Sequence, residues 1–231
     1  NAATWALMFT GKLVEPTEHT EQSLTNSLKR LSTRTSEPVI RQSVSQAMRL
    51  LGRQFVMGRT ISEAIRRAKE NEAKGYRYSY DMLGEAALTE KDAVRYFEAY
   101  QKAIEAIAEV AENKGPYESP GISVKLSALH PRYEVAQYLR VKKELLPRLK
   151  ELARGAQRAN IGFTIDAEES ERLVLSLELI EGVLSDPTFE GWDGFGLAVQ
   201  AYQKRAPYVL DWLAEKARQY NRRLMVRLVK G

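Results

Sequence analysis

The stretch GISVKLS (121–127), a helical run at 140–160 and then GFTIDA (162–167) decide the fold. Both short segments alternate large apolar residues with small or polar ones, and glycine opens each. Between them, Arg140–Asn160 repeats apolar residues at helical spacing. Strand, amphipathic helix, strand at this length reads as a βαβ unit, whose strands run parallel. Outward from it, YRYSYDM (76–82), GFGLAVQ (194–200) and RRLMVRLVK (222–230) read as further strands. Thr89–Asn113, Glu169–Leu184 and Pro207–Tyr220 read as the intervening helices. Neither a GxGxxG nor a GK[ST] phosphate loop follows the first strand, which argues against a dinucleotide-binding or P-loop domain. The spacing therefore predicts an α/β fold of the TIM-like (β/α)8 barrel type. A closed barrel of this kind has eight strands, and the segment ending at Gly231 is the fifth. An unpaired strand over Arg223–Lys230 would expose Leu224, Val226 and Leu228. The expectation is a barrel whose remaining strands come from a longer gene product or a second polypeptide.

Side chains of a strand point alternately to its two faces. One parity holds Ile122/Val124, Phe163/Ile165, Leu197/Val199 and Leu224/Val226/Leu228, suited to packing against helices. The other holds Ser79/Asp81, Ser123/Lys125, Thr164/Asp166, Ala198/Gln200 and Arg227. If this second parity faces the barrel axis, Asp81, Lys125, Asp166, Gln200 and Arg227 meet at the C-terminal mouth, where such barrels carry catalytic residues. An ion-paired plug without chemistry would also use such charges, but a functional end in all five strands favours a site. Small Ser, Thr and Ala positions beneath leave room for a ligand.

Ahead of the barrel, residues 1–75 read as a helical arm. Glu21–Leu31 carries Leu24, Leu28 and Leu31 at helical spacing, and Ser36-Glu37-Pro38 opens a second helix with the stripe Ile40, Val44, Met48, Leu51 and Phe55. Thr60-Ile61-Ser62 opens a third that stops at Lys74-Gly75. The 231 residues carry a net charge of +5 with basic and acidic segments interspersed, a solvated surface more than a nucleic-acid footprint. The absence of cysteine excludes disulfides, thiolate nucleophiles and cysteine metal sites. His19 and His130 lie too far apart in sequence to suggest a zinc enzyme, so no metal site is expected. His130, before Pro131, reads as a loop or capping histidine. Glu85 follows the first strand, while Glu168 and Glu169 read as first-turn charges complementing a helix dipole.

YSYDMLGEAAL (78–88), PGISVKLSALHPRY (120–133), IDAEES (165–170), VQAYQKR (199–205) and RLMVRLVKG (223–231) together resemble the proline dehydrogenase domain of the bacterial bifunctional proline-utilisation A flavoenzyme family. The resemblance covers nearly the whole chain. It implies a distorted barrel holding FAD, oxidation of L-proline to 1-pyrroline-5-carboxylate, and transfer of the electrons to a membrane quinone. It also implies a cytoplasmic location, peripheral to the inner face of the membrane. By motif, Asp166 and Arg227 match the family's catalytic-site pair, Lys125 the lysine near the substrate carboxylate, and Asp81 with Met82 the substrate- and flavin-adjacent end of the first strand. Ala167, Gln200, Arg227, Val229, Lys230 and Gly231 match flavin-contacting positions. The family's tyrosine-x-x-arginine-arginine clamp has no counterpart here, so a complementing C-terminal barrel segment is an expected partner. Neither the DNA-binding segment nor the aldehyde dehydrogenase domain of many members is recognised, and no nucleic-acid partner is expected of this portion. Two other readings stay open: a Schiff-base lyase using Lys125 or Lys230, and a non-catalytic barrel fragment.

Overall fold

A computed structural model describes residues 56–84 and 86–231, together with Ser45 and Gly52. The helices expected at Glu21–Leu31 and from Ser36 onward, and Glu85, lie outside the described residues. The chain divides into two units, Asn1–Ala64 and Ile65–Gly231. The helix expected after Thr60 is present as α1 (Ile61–Glu72). Thr60 Oγ1 accepts the Glu63 N–H at 3.2 Å, and Glu63 Oε2 accepts the Arg59 N–H at 3.0 Å. These contacts satisfy donors that a helix start otherwise leaves orphaned.

In the second unit, β1 (Ser79–Asp81), β2 (Gly121–Val124), β3 (Phe163–Ile165), β4 (Phe195–Gln200) and β5 (Met225–Val229) form one sheet in the order β1-β2-β3-β4-β5. All four pairings are parallel. The helices α2 (Glu90–Val110), α3 (Tyr138–Arg158), α4 (Leu173–Leu184) and α5 (Ala206–Gln219) alternate with the strands. Sequential βα order with parallel neighbours is the architecture of a TIM-like barrel, here with five parallel strands. Thr89 starts α2 with a capping box, its hydroxyl accepting the Asp92 N–H while Asp92 accepts the Thr89 N–H.

The register confirms the parity reading. Tyr80, Ile122, Phe163 and Phe195 stand in one transverse row on the helix-facing side, while Asp81, Ser123, Thr164, Gly196 and Met225 stand in the adjacent row. Ile122, Val124, Phe163, Ile165, Leu197 and Val199 are buried, as are the helix residues Tyr100, Ile107, Leu145, Leu149 and Leu179. At β5 the pattern changes: Val226 and Leu228 are 41% and 59% exposed, because β5 is the sheet edge and α5 packs on β4. The β4–β5 approach requires Gly196, since a Cβ there would lie 1.9 Å from the Met225 carbonyl oxygen.

Candidate active site

Two of the strands end one residue short of the charges they carry. β2 stops at Val124 and β3 at Ile165, so Lys125 and Asp166 are the first residues past their strands, and Asp81 is the last of β1. Parallel strands all end at the same edge, which gathers these side chains. Lys125 Nζ donates to Asp81 Oδ1 at 2.6 Å and to Asp166 Oδ2 at 3.0 Å. Arg227 Nη2 donates to Asp166 Oδ1 at 3.0 Å and to Ser123 Oγ at 2.7 Å. The Ser79 and Ser123 hydroxyls lie 3.1 Å apart beneath the charges. The result is one alternating row, Asp81, Lys125, Asp166, Arg227, in which each charge has an opposite neighbour.

One contact reports the curvature of the sheet. β5 and β2 are three strands apart, roughly 14 Å in a flat sheet, well beyond the reach of an arginine side chain. Arg227 nevertheless bonds Ser123, so the sheet curls about this face. Gly196 and Ala198 permit the crossing, since β4 presents no bulk below the guanidinium.

Four of the five polar strand ends expected at the mouth therefore join. Gln200 does not: its Oε1 accepts from Gln203 Nε2 at 2.6 Å. Met82 and Ala167 are half-buried beside Asp81 and Asp166, Val229 is half-buried opposite Gln200, and Lys230 and Gly231 are exposed. A narrow cleft, open to solvent, lies between Asp166, Ala167 and Gln200 at the strand ends and Leu173 and Leu177 on α4. Side-chain exposure rises along the row from 15% at Asp166 and 27% at Lys125 to 36% at Asp81 and 43% at Arg227. Lys125 Nζ is engaged by two carboxylates, Asp81 and Asp166, both within 3.0 Å.

Two surrounding residues differ in role. His130 is buried and structural: its Nδ1 accepts the Arg132 N–H at 3.1 Å, which leaves Nε2 to donate to Glu144, also at 3.1 Å. This is the loop-capping role expected of it. Glu168 does not sit in a helix first turn, because a 3-10 turn (Ser170–Arg172) precedes α4. Instead Glu168 accepts the Ser127 N–H at 3.0 Å and pairs with Arg172 at 3.3 Å, strapping the loop after β2 to the loop after β3. Arg172 in turn lies over the Tyr133 ring. Burial above all raises the Tyr133 hydroxyl well past its ordinary range, against a lowering contribution from Ser176. No group of three His, Asp or Glu among the described residues could hold a metal.

A curled parallel sheet with facing charges at its C-terminal edge is the scaffold of a TIM-like barrel enzyme. The chain belongs to the proline dehydrogenase family, whose family model, described as proline dehydrogenase, matches residues 64–231. A second model, described as the DNA-binding domain of proline dehydrogenase, matches residues 1–55. This second match runs against the expectation that no nucleic-acid element belongs to this portion. The bifunctional protein PutA of Escherichia coli (strain K12) is 57% identical over 231 residues, 100% of this chain and 17% of the relative. A solved point variant of Proline Utilization A from Bradyrhizobium japonicum is 53% identical, covers 87% of this chain and 20% of its own, and superposes with a TM-score of 0.72. Proline utilization A from Bdellovibrio bacteriovorus, inactivated by N-propargylglycine, is 26% identical with a TM-score of 0.77, over 84% of this chain and 21% of its own. The chain thus spans less than a fifth of the length of this curated relative. Among the described residues no helix is long and apolar enough to cross a membrane.

Proposed function

We propose that this chain forms the first five strands, over residues 76–231, of a barrel that oxidises L-proline to 1-pyrroline-5-carboxylate using FAD and passes the electrons to a membrane quinone. The first 55 residues, matched by the model described as the DNA-binding domain of proline dehydrogenase, contact DNA. The barrel is completed by a C-terminal segment, and the protein works in the cytoplasm against the inner face of the membrane. The observation that carries the reading is the Asp81–Lys125–Asp166–Arg227 row at the mouth of a proline dehydrogenase family barrel.

The residues present fit a flavin. The inner face carries only the small residues Ser79, Gly121, Ser123, Thr164, Gly196 and Ala198 on its first four strands below the charges, with Met225 of β5 reaching toward Gly162. Met82, Ala167, Gln200, Arg227, Val229, Lys230 and Gly231 would hold the cofactor. Bound flavin supplies acceptance of a hydride equivalent from the substrate. Lys125 holds the substrate carboxylate through its ammonium and so orients the ring carbon to be oxidised. Asp81 and Asp166 keep that ammonium in place from two sides. Arg227 contributes a fixed positive charge where negative charge builds up during reduction, and Asp166 keeps its guanidinium aimed into the mouth.

The test is anaerobic addition of L-proline to the intact purified protein, followed in the visible spectrum. A yellow protein that bleaches with L-proline and recovers its colour with a quinone supports the reading. A colourless preparation, or a yellow one that proline leaves unchanged, overturns it.

A further inference from the structure

We propose that Tyr100 is a positioning residue for Lys125, setting where its ammonium meets the substrate carboxylate; the assignment rests on the proline-oxidising reading above. The sheet runs out just before Lys125. Gly121 N–H bonds the Tyr78 carbonyl at 2.8 Å, and the alternation of a parallel ladder would bring Lys125 N–H to Met82. But β1 ends at Asp81. The Lys125 N–H instead donates to the Tyr100 hydroxyl at 3.1 Å.

Tyr100 is fully buried on α2, in the apolar stripe of Ala103, Ile104 and Ile107. Phenylalanine would fill that place equally well, so the hydroxyl is the informative atom. It stands in for a strand carbonyl at the one residue lying between a finished strand and the 3-10 turn at Leu126–Ala128. Lys125 is held there in extended geometry, φ −95 and ψ 128, with no side-chain cap of its own. Its backbone is thus fixed by α2, while Asp81 and Asp166 hold its Nζ. Without the hydroxyl, a part-buried N–H loses this hydrogen bond and the strand end gains freedom to move. Such motion displaces the ammonium from the position that captures a carboxylate.

The experiment uses the intact protein with four changes: Tyr100→Phe, Lys125→Met, the two combined, and Ile107→Val. The last trims the same helix core without touching the site. Calorimetry measures the Kd of a five-membered-ring carboxylate that cannot be oxidised, alongside KM and kcat for L-proline and the thermal midpoint. Tyr100→Phe should raise Kd and KM about three- to tenfold, the size of one lost hydrogen bond, with kcat nearly unchanged. In the Lys125→Met background it should add nothing further, and Ile107→Val should lower the midpoint while leaving Kd as in the wild type. A wild-type Kd in Tyr100→Phe, or the same loss whether or not Lys125 is present, overturns the assignment. A wild-type protein that neither binds the carboxylate nor oxidises proline sinks the functional reading itself, and the Tyr100 assignment with it.

Discussion

The two ends of the sheet both hold carboxylates among cations, yet they treat them differently. At the end where strands begin, Asp186 in the loop before β4 is enclosed. It accepts Thr188 N–H at 3.0 Å, Thr188 Oγ1 at 2.7 Å and Lys150 Nζ at 2.9 Å, and its own carbonyl accepts Arg222 Nη2 at 2.9 Å. Phe189, Trp192 and Phe195 pack on one another in the same region of the chain. Burial works to raise the Asp186 carboxyl, but the Thr188 and Lys150 hydrogen bonds outweigh it and lower the value to about 2. At the mouth, Asp81, Lys125, Asp166 and Arg227 make a single row that stays partly open to water. A charge whose every partner is internal stabilises the fold. A charge with capacity left facing solvent is available to a ligand.

Substitutions at the two ends should therefore separate stability from chemistry. The largest effect is expected at Arg227→Met, which should slow flavin reduction by proline about 10²–10³-fold, the cost of losing one preorganised charge. Its thermal midpoint should stay near the wild type, and unchanged reduction kinetics would remove Arg227 from the mechanism. Asp186→Ala should do the reverse, lowering stability by about 2 kcal/mol because Thr188 and Lys150 lose the carboxylate they bond. Denaturant unfolding measures this, and the comparison breaks if carboxylate binding suffers instead. Lys125→Met should weaken binding of a proline-like carboxylate about tenfold or more, the loss of a charge-assisted hydrogen bond, and inhibitor titration reads it directly. The smallest effect is a dependence on acid. Asp186 is depressed from 3.8 to about 2, so its share of stability, about 2 kcal/mol, is complete above the ordinary aspartate value and is lost as pH falls through about 2. Asp186→Asn should flatten that part of the unfolding profile; an unaltered profile would show that the acid sensitivity lies elsewhere.

Much of this was legible in the residues. The two-residue period of each strand separated Lys125, Asp166 and Arg227 from Val124, Ile165 and Val226, because alternation along an extended chain needs no knowledge of its neighbours. Tyr100 was not legible, since a tyrosine in an apolar helical stripe looks like core filling until its hydroxyl is seen beside a strand end. Glu168 was misread for a related reason: DAEES resembles a helix start, but the chain spends a 3-10 turn before α4. The first 55 residues carry seven Lys or Arg against four Glu, a local excess that the interspersed charge of the whole chain hid. Gln200 has the right parity but turns aside to Gln203, a choice between two reachable partners that alternation cannot make.

Sequence by itself determined the βα order, the two faces of each strand and the residue types at the strand ends, all properties of local period and composition. The tertiary structure alone decided that Arg227 reaches Ser123 across two intervening strands, that Lys125 sits between two aspartates, and that a helix hydroxyl completes its backbone. The physical reason is distance: these contacts join residues 104, 44 and 25 positions apart. Nothing local in a chain specifies how far a sheet must curl to bring them within a hydrogen bond.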